Sequence, residues 1–487
     1  MPELSKFNKA RLICMLFVVA SCAASGQTFA TFASFDNTNG AHPFYVSLTQ
    51  GVDGSFYGAA TAGGRNCTSY GCGTVFKLTR AGALTALYSF CKDFNCADGS
   101  IPFSGVTLGI DKNFYGTTAA GGNGENCKQA GCGTVFKITP SGSLTQLHSF
   151  QRSDGWEPWG TIAQGIDKNW YGTTYKGGLH KIGEVFRANP EGEITVLTSF
   201  CFDVHCPQLP FRTLNLGSDG YFYGVTQGGG INEGGTVYKI NSHGRGVVLH
   251  SFTPFDSNGT EPVGVVEGSD GNFYGTTAEG GNLDCDAPYG CGTIFKLTPD
   301  GTVTVLYSFN LTDGWTPLAG LVQATDGNFY GTTSRGGDMT CVDAEEGCGT
   351  LFQITSDGAF TVLHVFEGTD GFDSEGTLFQ ATDGRLYGTT AYGGSLGYGT
   401  VFSLDMALPP FVSFIFDYAK AGQSGGILGQ GLLGTISVSF NGVPASFTVK
   451  SDTYLVATVP PGTTTGYVTV TTPTGTLTSN KKFVVLP

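Results

Sequence analysis

Three sets of residues in this 487-residue chain could do chemistry: cysteines in close pairs, tryptophans beside carboxylates, and glutamates outside any repeated pattern. Twelve of the fourteen cysteines lie beyond residue 26, as Cys67/Cys72, Cys91/Cys96, Cys127/Cys132, Cys201/Cys206, Cys285/Cys291 and Cys341/Cys348. An even number in local pairs reads as disulfides, each closing a short loop and stabilising the fold by about 2 kcal/mol. Zinc would need four converging ligands, and no pair has Cys-x-x-Cys spacing or a recurring histidine beside it. Trp156 and Trp315 stand in DGWEP and DGWTP, with Trp159 just after the first. An indole beside a carboxylate suits stacking against a sugar ring. The same frame recurs without tryptophan as DGSIP and NGTEP, which is turn chemistry ahead of a proline. Glu157, Glu261 and Glu375 could bring acid and base together from distant parts of the chain. The sequence has no H-E-x-x-H or P-loop, and no catalytic residue, metal or cofactor is assigned from motifs.

These residues hang on a repeat. GCGTVFKLT at 71–79 returns as GCGTVFKIT at 131–139, GCGTIFKLT at 290–298 and GCGTLFQIT at 347–355. A second motif, NFYGTT and its variants, places Tyr57, Tyr115, Tyr171, Tyr223, Tyr274, Tyr330 and Tyr387 at intervals of 51 to 58 residues. Relaxed to G-x-V-F, the first motif also occurs seven times. Each unit holds four short apolar runs bounded by turn residues, which is the hairpin signature. Four antiparallel strands per unit, repeated seven times, predict one β-propeller blade each. The aspartate ahead of every second strand, from Asp53 to Asp383, reads as a turn residue because it recurs in all units. His148, His250 and His364 stand where other units carry Tyr88 and Tyr307, so they read as strand positions.

The seventh unit lacks a fourth strand, whereas TFATFASF at 28–35 resembles fourth strands such as LTALYSF and precedes the first unit. That N-terminal strand would complete the last blade and remove an open sheet edge. Strand direction alternates within a blade, so all six cysteine pairs fall on one face, which would present long stapled loops over a rigid ring.

With those motifs in view, residues 28–405 resemble the GloVer repeat of exported bacterial proteins, a likeness that implies an extracellular location and no catalytic residues. Residues 409–487 lack the blade motif. SFNGVPA (439–445), SDTYLVATVPPG (451–462) and SNKKFVV resemble an IPT/TIG domain, which implies an immunoglobulin-like β-sandwich acting as a spacer or contact module. The expected organisation is all-β: a signal peptide at 1–26, a seven-bladed β-propeller at 27–405 and the sandwich at 409–487. The expected function is a non-catalytic exported binding or scaffold protein that presents its stapled face to a neutral glycan or an extracellular protein. The alternative is a polysaccharide-active lyase or hydrolase with its site at the channel mouth.

Charge and the N-terminus bound the setting. Lys6, Lys9 and Arg11 precede the apolar LICMLFVVA, too short for a permanent membrane span, and the small residues of SCAASGQ follow. VASC also resembles a lipobox, with Cys22 as the lipidated residue. Loss of residues 1–26 removes three basic residues and one acidic, taking the formal charge from −14 to −16. So acidic a surface repels phosphate backbones and excludes nucleic acid, leaving a bacterial extracellular, surface or periplasmic monomer as the expectation. Deleting residues 28–35 should expose the last blade's edge and cause aggregation or a large fall in melting temperature. An unchanged melting curve would show that this strand completes nothing.

Overall fold

The computed structural model describes residues 27–65, 72–92, 94–124, 127, 131–201, 206–341 and 346–487. Segment 1–26, with Cys22, and Cys67 lie outside these. Each repeat folds into one antiparallel four-stranded sheet. In the fifth repeat the strands are Thr260–Glu267, Phe273–Glu279, Thr293–Leu297 and Val303–Ser308, paired in that order. Seven such sheets follow one another in an all-β, propeller-like array. Six use strands consecutive in sequence. The seventh takes Thr28–Ser34 as its fourth strand, antiparallel to Thr400–Asp405. Among the described residues, the one helical turn is a 3-10 turn at Phe94–Cys96, and no helix is long and apolar enough to cross a membrane.

The second-strand motif explains how neighbouring sheets join. The turn aspartate accepts a hydrogen bond from the motif tyrosine in all seven sheets, as in Tyr274 Oη to Asp270 Oδ2 at 2.8 Å. Thus anchored, the ring stacks on the aromatic that precedes the next sheet's tyrosine: Tyr57 on Phe114, Tyr115 on Trp170, Tyr171 on Phe222, Tyr223 on Phe273 and Tyr274 on Phe329, with centroids 4.0–4.1 Å apart. Tyr387 of the seventh sheet meets Phe56 of the first at 4.5 Å. The glycine after the tyrosine clears space for the third-strand aromatic. A Cβ on Gly275 would lie 2.6 Å from Phe295 Cζ, and one on Gly172 would lie 2.7 Å from Phe186 Cζ. That aromatic receives in turn the phenylalanine ending the previous sheet's fourth strand, as in Phe90–Phe136 and Phe252–Phe295, both at 5.3 Å, and Phe35–Phe76 at 5.2 Å.

Side chains lace the innermost strands together: Thr49 Oγ1 donates to Val106 O, Thr107 Oγ1 to Ile162 O at 2.8 Å, and Asn215 Nδ2 to Val265 O at 2.8 Å. Gln50 bonds Thr382 through both its amide atoms, again joining the first sheet to the seventh. Five disulfides, Cys91–Cys96, Cys127–Cys132, Cys201–Cys206, Cys285–Cys291 and Cys341–Cys348, close loops between strands or sheets. Cys72 is also disulfide-bonded. Such a set indicates an oxidising, non-cytoplasmic location.

The third sheet departs from its neighbours. In five other sheets two threonines face each other across strands two and three, as in Thr118–Thr134 and Thr277–Thr293, both at 2.8 Å. Here Glu184 replaces one of them, and its Oε1 accepts bonds from Ser199 Oγ at 2.7 Å and Leu179 N at 3.3 Å. It thereby ties down a loop that carries no cysteine, and burial pushes its carboxyl up.

Beyond the seventh sheet, two four-stranded sheets and a two-stranded parallel pair share one core, which includes Val412, Ile427, Leu455, Val468 and Phe483. Two substitutions separate the roles of the joint residues. Tyr274→Phe keeps the stack and loses one hydrogen bond, so urea denaturation should show a loss of about 1 kcal/mol. Gly58→Ala, where the added Cβ would lie nearest Phe76, at 2.6 Å from Cζ, forces that ring to move and should lose more, on the order of 1–3 kcal/mol. The reverse order would remove the aromatic overlay as the reason for the glycine.

Candidate functional site

The segment that leads into the first strand of every sheet carries the same kind of strained residue. His42, Ile101, Glu157, Leu209, Glu261 and Thr316 each precede a proline, and Asp373 precedes Ser374; all seven have φ between 50° and 59°. A non-glycine residue there carries strain of roughly 1–3 kcal/mol. Hydrogen bonds hold it: Glu157 N donates to Cys132 O at 3.2 Å, and Tyr175 N donates to Glu157 O at 2.9 Å. Thr316 is held likewise through Cys291 O and Ser334 N. The stapled loops therefore fix the entries of the following sheets.

The next two positions set up the site. The residue after the proline is Phe103, Trp159, Phe211 or Leu318 in other sheets, but Glu375 in the seventh. The residue after that is small at Ser104, Gly160, Gly264, Ala319 and Gly376, but Tyr45 in the first and Arg212 in the fourth. These departures meet. Arg212 Nη1 donates to Glu375 O at 2.9 Å, and its guanidinium carbon lies 4.4 Å from the centroid of the Tyr45 ring. Among the described residues, Arg212 Nε and Nη2 and Glu375 Oε2 are buried without a partner. Burial and the charge of Asp373 push the Glu375 carboxyl well up, against the pull of Arg212 and Arg335. Asp373 is raised to about 6, chiefly by burial. Burial lowers Arg212 to about 10, with Tyr45 and Glu375 opposing.

Around this cluster stand aromatics. Tyr45 packs on Phe211 at 5.7 Å, Phe103 on Trp159 at 5.6 Å, and Trp159 stacks on Tyr175 at 3.9 Å. Tyr45, Trp159 and Arg212 also border a cavity of about 240 Å³ whose lining draws on all seven sheets, with Thr107, Val265, Leu321 and Thr377 among the rest, and does not include Asp373 or Glu375.

The glutamates and tryptophans named from sequence divide between this cluster and the packing around it. Glu375 is in the cluster. Glu157 pairs with Lys176 at 3.1 Å, and both Glu157 and Glu261 act on Tyr175, whose hydroxyl is raised first by burial and then by their charge. Burial raises Glu261; burial, then Glu261 and Asp286, raise Glu279 to about 7. Trp159 belongs to the cavity wall, whereas Trp156 and Trp315 pack against core clusters between sheets, under Arg152 and Lys176 and under Arg335. Of the histidines, His148 and His364 bond Asp154 at 3.0 Å and Asp370 at 2.7 Å. Sequence reasoning missed Arg212, Asp373 and Tyr45. The signal for Arg212 lay in aligning the first strands, where it replaces a small residue.

Two carboxyls two residues apart, buried beside one guanidinium, resist being ionised together. One neutral carboxyl acid beside one carboxylate is what proton transfer to a leaving group and from a nucleophile requires.

Among solved structures, the chain is similar to the periplasmic gluconolactonase of Pseudomonas aeruginosa at 15% identity, covering 73% of this chain and 97% of that one, with a TM-score of 0.42. A gluconolactonase of Xanthomonas campestris matches at 13% identity over 62% of this chain and 92% of its own, with a TM-score of 0.36. A Lactobacillus plantarum protein matches at 14% identity over 65% and 83%, with a TM-score of 0.42. A comparison with curated proteins gave no match. The expectation of a non-catalytic binding or scaffold protein is corrected by these findings. The similar solved structures include gluconolactonases, and the premise that polar positions serve turns and strands fails at Arg212, Asp373 and Glu375. The model of the Gloeobacter/Verrucomicrobia repeat matches residues 65–284, 125–342 and 210–452, overlapping spans that together take in most of the sequence, and the chain belongs to that family.

Proposed function

We propose that this chain is an exported hydrolase or lyase acting on a saccharide, with Asp373 and Glu375 as its acid–base pair. The observation that carries the reading is the meeting of the unrepeated charged residues Arg212, Asp373 and Glu375, with Arg212 bonded to the Glu375 backbone and Asp373 acting on the Glu375 carboxyl. In this reading residues 27–405 form a closed seven-bladed propeller, supported by the contacts of Tyr387 with Phe56 and of Phe35 with Phe76. Residues 409–487 are its IPT/TIG domain and residues 1–26 its export signal, with Cys22 the lipidated residue if the lipobox is used. A neutral glycan suits the acidic chain.

The chemistry follows from the environments. Glu375, kept protonated by burial, gives its proton to the leaving oxygen as the C–O bond breaks. Asp373 takes a proton from the water that attacks, or in the lyase case from the carbon that becomes the far end of the double bond, where an adjoining carboxyl group of the sugar acidifies it. Transfer between the two carboxyls restores the starting state. Arg212 holds the Glu375 backbone and limits the pair's negative charge, while Trp159 and Tyr45 offer ring faces to the sugar. Purified protein should release reducing ends from a panel of neutral glycans or, in the lyase case, a UV-absorbing unsaturated product from a uronate-containing one. Glu375→Gln and Asp373→Asn should each lower kcat by about 100-fold or more without lowering the melting temperature. Undiminished turnover in both variants would remove the pair from the mechanism.

The same groups set a pH dependence. Asp373, Glu375, Glu261, Glu279 and Glu184 have folded pKa values above their unfolded ones, so the folded state binds more protons and loses stability as pH rises through about 4.5 to 7. Asp270 runs the other way. Burial raises it, but bonds from Asn272, Tyr274 and Lys296 outweigh that and bring it to about 2, so its contribution is lost as pH falls below about 4. Melting temperature should therefore peak between roughly pH 4 and 5. Glu375→Gln should flatten the alkaline limb; an unchanged limb would mean that this carboxyl is ionised in the folded protein.

A further inference from the structure

The C-terminal sheets touch the seven-sheet array on the side of the Asp-Gly turns, away from the stapled loops. Tyr418 Oη donates to Gly217 O at 2.7 Å, and Thr453 Oγ1 donates to Val52 O at 2.8 Å. Phe411 N donates to Thr382 O at 3.1 Å. Lys112 Nζ lies 5.6 Å from the centroid of the Tyr454 ring. Leu428 and Tyr454 enter one apolar cluster with Tyr57, Val106, Leu108 and Phe114. The contacts thus reach the inner turns of the first, second, fourth and seventh sheets. A footprint that touches turns on opposite sides of an axis also covers the axis.

The turn glycines show where this cover ends. A Cβ on Gly54 would stand 2.7 Å from Thr453 Cγ2, and one on Gly384 would meet Leu408 O, whereas Gly271 and Gly327 have nothing within 4 Å. The fifth and sixth turn tips are therefore open, while the first and seventh are covered.

We infer that the C-terminal domain is the floor of the central cavity, making it a dead-end pocket that ligands enter and leave only through the stapled face. This rests on the propeller reading proposed above. A floor forbids threading of a polymer through the ring. About 240 Å³ is also smaller than the roughly 300–1,000 Å³ of pockets for drug-sized ligands. The ligand is accordingly a monosaccharide-sized unit, either free or at the end of a chain.

Two measurements test the floor without any substrate, so their outcome is separate from that of the acid–base pair. Thr49 lines the cavity just before the first turn. In the full chain, the thiol introduced by Thr49→Cys should react with a cationic methanethiosulfonate at least tenfold more slowly than in a chain that also carries Tyr418→Ala and Thr453→Arg. Equal rates would overturn the inference. Should that triple variant fail to fold, hydrogen exchange in the unmodified protein decides. The amides of Gly54, Gly384, Gly271 and Gly327 each close the same kind of turn, at 2.9–3.0 Å. Gly54 and Gly384 should exchange at least tenfold more slowly than Gly271 and Gly327; uniform exchange would mean that the domain does not stay on this face.

Discussion

The structure depends on a tyrosine that is held at one end and stacked at the other. Its hydroxyl is fixed by the turn aspartate, so the ring has little freedom left to lose when it packs. The neighbouring sheet's aromatic then finds a flat, pre-set surface. Fixing the ring also fixes the glycine that follows, over which the third-strand aromatic must lie. At six of the seven junctions two aromatic contacts are thereby tied to a single hydrogen bond; between the sixth and seventh sheets Leu386 stands where the stacked aromatic would be. A lysine such as Lys77, 2.7 Å from Asp53, reinforces the turn in several sheets, but these pairs are partly exposed and each is worth about 0–1 kcal/mol at most.

A joint made seven times constrains where function can arise. Strand two and strand three are committed to the junction on both faces and cannot change without cavities or clashes. The innermost strand is less committed. In five sheets its regular pairing with strand two spans only two residues, as in Val322–Gln323. Its entry residues are held mainly by their backbones, so their side chains are free to differ. Glu157, Glu261, Asp373 and Arg212 are found there, and the scaffold tolerates them because the joint elsewhere does not involve them.

That division also governs what could be read from sequence. The four runs per unit, their turns, the local cysteine pairs and the role of Thr28–Ser34 were legible because each is dictated by local spacing. The roles of the turn aspartates were legible in kind, though not the partner tyrosine four residues on. The charged cluster was only partly legible. Glu375 stood out as unrepeated, but Arg212 lies 163 residues away in sequence, and only the packing of the fourth sheet's first strand near the seventh sheet's entry brings the two together. Asp373 was hidden by the turn frame around it, since the frame explains an aspartate there without asking what it faces. Glu184 was hidden in the opposite way, inside a well-matched motif whose neighbours carry threonine.

The buried cluster would destabilise a small domain, because orphaned guanidinium and carboxyl atoms each forfeit solvation worth about 1–3 kcal/mol or more. Among the described residues, three such atoms gather at Arg212 and Glu375, while the stabilising joints are spread around the whole array. Losing some stability at a single entry leaves the others intact, so a strained and under-satisfied site can be kept without local compensation. The disulfides support this arrangement where it matters. Cys132 and Cys291 each offer a carbonyl to an entry residue of the next sheet, so the staples steady the positions from which inward-facing side chains start. Rigidity around the site and electrostatic strain within it are two consequences of one repeated junction.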